Sequence, residues 1–157
     1  MNNKYLNIYN NLIKLTRNKN LYLNLDKKET FSDRLIFLLF HFAFFLKANK
    51  KIVNKKELQK CFDFIVRQLE LSIREIGYGD VTVNKKMKNY INILYSIIDK
   101  ISEWENLENK KKSEIFIDYL ELTKNLEFYL EYFEKYSLFL RNNTFKNLSK
   151  DIINFKF

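Results

Sequence analysis

A chain of 157 residues with no proline and only two glycines has few means of turning sharply. Both glycines, Gly77 and Gly79, fall in one stretch, SIREIGYGDVTVNKKMK at residues 72–88. Glycine and proline are the usual punctuation of β-rich folds. Their scarcity predicts long helices joined by polar turns. The placement of the two glycines predicts one tight reversal near the middle of the chain. Gly77 follows the last apolar position of a helical pattern, where a left-handed residue closes a helix without a Cβ clash. Gly79 permits a second bend. Asp80 or Thr82 can then cap the following helix, and a carboxylate there suits the positive end of the helix dipole.

The apolar spacing fills in the other elements. Residues 4 to 15 recur at helical intervals through Tyr5, Ile8, Leu12 and Leu15. The most apolar stretch is LIFLLFHFAFFL, Leu35 to Leu46. At about 1.5 Å per residue it spans roughly 18 Å, short of the roughly 30 Å of a bilayer core. Being apolar all round, it reads as a helix buried at the centre of a domain, with Thr30 or Ser32 as its cap. A third helix is predicted over Lys55–Ile76, with Leu58, Phe62, Ile65, Leu69, Ile73 and Ile76 stepping by three or four. A fourth is predicted over Val83–Trp104, its stripe formed by Met87, Ile91, Leu94, Ile98 and Ile101. ENLENKKKS, residues 105–113, reads as a polar break. The aromatic-rich segment after it is one long helix or two meeting near Lys124 and Asn125, and residues 144–153 suit a short final helix. No linker or repeat divides the chain. The expectation is all-α: a single compact domain over 1–157, of five to seven helices around a buried apolar central helix.

The charge is uneven. Residues 1–60 carry 13 Lys or Arg against 4 Asp or Glu, and the remainder carries 15 of each. Abundant Lys, Asn, Ile, Phe and Tyr match an AT-rich genome, but codon bias does not explain that asymmetry. A basic N-terminal part suits anionic lipid, RNA or an acidic partner. Cys61 is the only cysteine, so no internal disulfide forms, and it lacks the Cys and His neighbours of a metal site. The N-terminal residues have no long apolar run or small-residue cleavage site, so no secretory signal is read there. His41 is the only histidine, and it lies in the most apolar stretch, where a packed ring is expected rather than a catalytic base. Glu121, Glu127, Glu131 and Glu134 read as the wet face of a helix. No catalytic residue and no metal ligand is assigned.

Around the glycines, Arg74 and Glu75 precede the turn, and Lys85, Lys86 and Lys88 follow it. A phosphate cradle would need further glycines or a lysine–hydroxyl ending, after a strand. The stretch instead resembles the signature of the ubiquinol–cytochrome c chaperone family, LREMGVGD followed by a valine and a basic K-[KR]-[MV]-K segment. The matching residues are Arg74, Glu75, Gly77, Gly79, Asp80, Val83, Lys86, Met87 and Lys88. Upstream, TFSDRLIFLLFH is similar to the family's TFDGRF-(aliphatic)-LH segment through Thr30, Phe31, Arg34 and His41. TKNL at Thr123–Leu126 stands beside the family's ARNL. The resemblance spans about residues 20–130. It departs at Asp33, where the family has glycine, and at Tyr95-Ser96-Ile97, where the family has Tyr-Gly-Arg.

The resemblance implies an all-helical, non-catalytic assembly chaperone that needs no cofactor. It would bind newly made cytochrome b during assembly of the ubiquinol–cytochrome c reductase complex. Tyr78, Arg74, Glu75, Gly77, Gly79, Asp80, Lys85, Lys86 and Lys88 would meet client or partner, while Phe31, Arg34 and His41 would be structural. A small partner protein, and contact with the ribosome or an anionic membrane surface, belong to the same expectation; DNA does not. The implied setting is a bacterial, α-proteobacterial cytoplasm, peripheral to the inner face of the inner membrane. The competing class is a basic helical adaptor that docks on anionic membrane or ribosomal RNA without a cytochrome client. A chaperone of apolar helices would use its 17% of aromatic residues to line a groove.

Overall fold

The computed structural model describes residues 3–25, 27–143, 145–150 and 152–157. Among them lie eight α-helices and one 3-10 turn, with no strand. The helices are α1 (Asn3–Thr16), α2 (Lys19–Leu23), α3 (Phe31–Asn49), α4 (Lys55–Arg74), α5 (Asp80–Ile101), α6 (Asn109–Leu120), α7 (Leu126–Asn142) and α8 (Phe145–Lys150). The short α2, in the stretch between the first two expected helices, accounts for the one helix above seven, and α8 is the expected short final helix.

Helix α3 is the axis. Every residue from Leu35 to Phe45 is buried, and α1, α5, α6 and α7 pack around it. Its start is fixed by a capping box. The Thr30 hydroxyl accepts from the Asp33 amide at 3.1 Å, and the Asp33 carboxylate accepts from the Thr30 amide at 2.9 Å. This pairing satisfies two amides that the first turn leaves free. Thr30, not Ser32, is therefore the cap, and Asp33 supplies its reciprocal half.

Rings fill the space between α3 and the C-terminal helices. Phe133 of α7 stacks on Phe44 and on Phe116, with centroids 5.3 Å apart in both pairs. Trp104, in the 3-10 turn, meets Phe44 edge-on at 5.1 Å. Offset and edge-to-face contacts of this kind add to the burial of large apolar rings. The aromatic-rich third is thus two helices with their seam at Glu121 and Asn125, both at positive φ, 54° and 61°.

Three sequence readings are corrected here. ENLENKKKS is not a break throughout, because α6 begins at Asn109 and Lys112 is buried against the Trp104 ring, 4.8 Å from its centroid. On α5 the buried row is Val83, Met87, Tyr90, Leu94, Ile97 and Ile101, so Ile91 and Ile98 sit at the flank of the core rather than on its centre line. On α4 the row is Cys61, Ile65, Leu69 and Ile73, and Ile76 lies beyond the helix, exposed. Both helices carry enough aliphatic residues to draw two adjacent stripes, and packing selects one.

Two buried asparagines hold the chain's end. Asn11 donates to the Leu148 carbonyl at 2.9 Å and accepts from the Ile153 amide at 2.9 Å. Asn49 donates to the Phe45 carbonyl and accepts from the Phe145 amide, both at 2.8 Å. Buried amides of this kind must be satisfied, and here they tie α8 and the last residues onto α1 and α3.

Candidate functional site: the α4–α5 hairpin tip and the neighbouring groove

Helix α4 ends because the backbone reverses at Gly77. Its φ is +106°, and its amide donates to the Arg74 carbonyl at 2.9 Å. A Cβ there would touch nothing within 4 Å, so glycine is required for the backbone angle and not for space. Gly79 is different. It is extended, with φ −72° and ψ 165°, and it is itself the N-cap of α5 with no side-chain cap bond. Neither Asp80 nor Thr82 caps the helix, as the sequence had suggested. Asp80 is the first helical residue, and its carboxylate takes the Arg74 guanidinium across the turn. Glu70 lies on the other side of that guanidinium at 3.8 Å. The one arginine of the tip is therefore neutralised by its own hairpin.

The whole tip from Glu75 to Thr82 is exposed. Ile76, Tyr78 and Val81 stand in solvent, Val81 at 83% of its full area. Lys86 Nζ lies 4.8 Å from the centre of the Tyr78 ring, a separation at which a cation is attracted to an aromatic face. Lys85 and Lys88, three apart on α5, are exposed. Arg74 with Asp80 and Tyr78 with Lys86 are brought together, whereas Glu75, Lys85 and Lys88 have no ion pair among the described residues. The result is a small apolar cap with a cationic flank.

The second motif divides in space. Phe31 and Arg34 open onto a groove of about 460 Å³ between α1, α2, the start of α3 and the end of α4. Arg34 lies over the Phe31 ring at 5.7 Å and 3.5 Å from Glu29. Ser72, two residues before Arg74, lines the same groove, so the groove and the hairpin tip share one end of the bundle. His41 is elsewhere: fully buried in α3, it donates through Nδ1 to the Phe37 carbonyl at 2.6 Å. A carbonyl only accepts, which makes Nε2 the acceptor for the Tyr132 hydroxyl, also at 2.6 Å. Burial pushes the ring's pKa from 6.5 down to about 4, and it is neutral at pH 7. A solvent-facing base at this position is ruled out by that packing. Cys61 is likewise buried, and desolvation pushes its thiol up to about 12, so it carries no thiolate near neutrality.

Sequence reasoning did not find the groove. Its walls come from four helices, and Tyr9, Arg17, Lys19 and Tyr22 meet Phe31 and Arg34 only after folding. The lone hint was the basic excess of residues 1–60.

The scaffold is all-helical, with an exposed two-helix tip, an open groove bearing Arg17, Lys19 and Arg34, and a sealed histidine. The profile of the ubiquinol-cytochrome C chaperone family matches residues 24–108, more than half of the sequence, and the chain belongs to that family. The match contains both the Thr30–His41 and the Ser72–Lys88 segments; Thr123–Leu126 lies beyond it. No curated protein and no solved structure matches the sequence.

Proposed function

We propose that this chain is a non-catalytic chaperone for assembly of the ubiquinol–cytochrome c reductase complex. Its client is newly made cytochrome b, which it meets at the α4–α5 tip. The observation that carries the reading is the solvent-exposed row Ile76, Tyr78 and Val81 beside Lys85, Lys86 and Lys88, inside the family-matched region. A soluble surface rarely leaves neighbouring large apolar side chains uncovered without a partner for them. A client made of membrane helices and short polar loops offers both kinds of contact: apolar side chains for the cap, and acidic or backbone oxygen acceptors for the lysines. Because the tip is a short turn between two long helices, few of its residues have to be ordered at the moment of binding. A small partner protein can share this end of the bundle, where the groove adjoins the tip.

The test is charge reversal of Lys85, Lys86 and Lys88 to Glu. Capture of cytochrome b by the tagged protein should fall severalfold, with the helical circular dichroism and melting midpoint unchanged. Undiminished recovery of cytochrome b would remove the tip from the reading. Deleting the gene should lower cytochrome b and the assembled complex together, and normal levels of both would refute the client assignment.

A further inference from the structure

We propose that the groove beside the tip is a docking site for an anionic phospholipid at a bilayer surface, independent of whether the tip binds cytochrome b. The groove's polarity is ordered like an amphiphile. Its floor is aliphatic, formed by Ile13, Leu35, Leu38 and Leu69, and its mouth carries Arg17, Lys19 and Arg34. Among the described residues Glu29 is the sole acid in the wall, and it faces Arg34 at 3.5 Å. Arg17 and Lys19 have no carboxylate partner among the described residues and are exposed. About 460 Å³ is within the range of ligand-sized clefts, of order 300–1,000 Å³.

A second feature sets the source of the ligand. Lys19 and Leu23 are four apart on α2 and share a face with Tyr22, which lines the groove. Leu23 is 78% exposed. A cation beside an unburied leucine, at the rim of an apolar cleft, is the arrangement that sits at a headgroup boundary. An RNA would leave the aliphatic floor uncovered, and an acidic peptide would leave Leu23 in water. The cavity near Lys50 and Lys51 has Glu103 and Glu105 in its wall and lies at the opposite end of α3, and a cavity with Lys14 and Lys156, at about 250 Å³, is smaller than that ligand-sized range. Three lysines against two glutamates leave the Lys50 cavity a smaller positive excess than the groove, which has three cations against one glutamate. Three of the 13 basic residues among the first 60 thus meet at one groove.

The experiment uses vesicles of phosphatidylcholine with phosphatidylglycerol carrying brominated acyl chains. Tyr9, on the groove wall, is replaced by Trp, while the native Trp104 is buried and supplies the background. Bromine should quench the Tyr9→Trp emission and leave Trp104 unchanged. In parallel, the full chain carrying R17E and K19E, both at exposed positions, should keep its helical circular dichroism and lose about tenfold in co-flotation with these vesicles. The K50E, K51E variant should float like the parent. Four results would overturn the proposal: flotation insensitive to R17E and K19E, equal losses from the Lys50 and Lys51 changes, bound protein with no groove-specific quenching, or binding to ribosomal RNA with none to vesicles. Should Tyr9→Trp fail to fold, the flotation comparison decides by itself.

Discussion

The Tyr132 hydroxyl donates to His41 Nε2 at 2.6 Å across 91 residues of chain, joining α7 to the buried centre of α3. Tyr136, one turn further on, donates to the His41 carbonyl at 2.9 Å. The single histidine is a structural node that requires its ring to stay neutral.

This gives the fold a pH dependence of known sign. The folded ring resists protonation down to about pH 4, while the unfolded ring takes a proton near 6.5. The contribution is whole above pH 6.5 and is lost as pH falls toward 4, at about 1.4 kcal/mol per pH unit. Urea denaturation should show a loss of about 2 kcal/mol between pH 7 and pH 5 that is absent from His41→Gln. Parallel pH profiles for the two proteins would contradict a buried neutral His41.

Removing only the hydroxyl tests the same node from the other side. Tyr132→Phe leaves Nε2 buried without a donor and should destabilise by about 1–3 kcal/mol at neutral pH. The ring packing around Phe133 and Phe155 is retained, so a loss of helical content in the native state is not expected. Equilibrium denaturation measures the difference.

The two glycines should respond oppositely. Gly77→Ala forces a Cβ onto φ +106° and should cost about 1–2 kcal/mol. Gly79→Ala places a Cβ on an extended backbone with open space around it, and should be neutral or stabilising by a few tenths of a kcal/mol. Equal losses at both sites would show that the reversal is shared between them.

The capping box makes a third comparison. Asp33→Gly introduces the residue the family usually carries there, removing the carboxylate that accepts from the Thr30 amide. It also removes the contact to Lys27 at 3.4 Å. Thermal or chemical unfolding should show a loss of about 1 kcal/mol. The Thr30→Ala loss should not add to it in the double variant, because both changes break one reciprocal cap.

The ring stack gives the largest expected effect. Phe133 touches Phe40, Phe44 and Phe116 at 5.3–5.5 Å and is fully buried. Phe133→Ala should destabilise by about 3–5 kcal/mol through lost burial and an unfilled cavity. Phe133→Leu should recover much of that loss.

What the sequence alone determined is local. Scarce glycine and proline imposed helices, the apolar run from Leu35 imposed a buried one, and Gly77 marked where the chain turns back. Each follows from the steric and solvation preferences of a few consecutive residues. The tip residues were also legible, since a hairpin displays neighbours in sequence as neighbours in space. Tertiary structure decided the rest. It chose which of two apolar stripes on α5 faces inward, set Asn11 and Asn49 against a distant end of the chain, paired His41 with Tyr132, and gathered Arg17, Lys19 and Arg34 at one groove. Periodicity states that a helix has an apolar side. Rotation about its axis, and the company its polar residues keep, depend on partners far along the chain that only packing brings near.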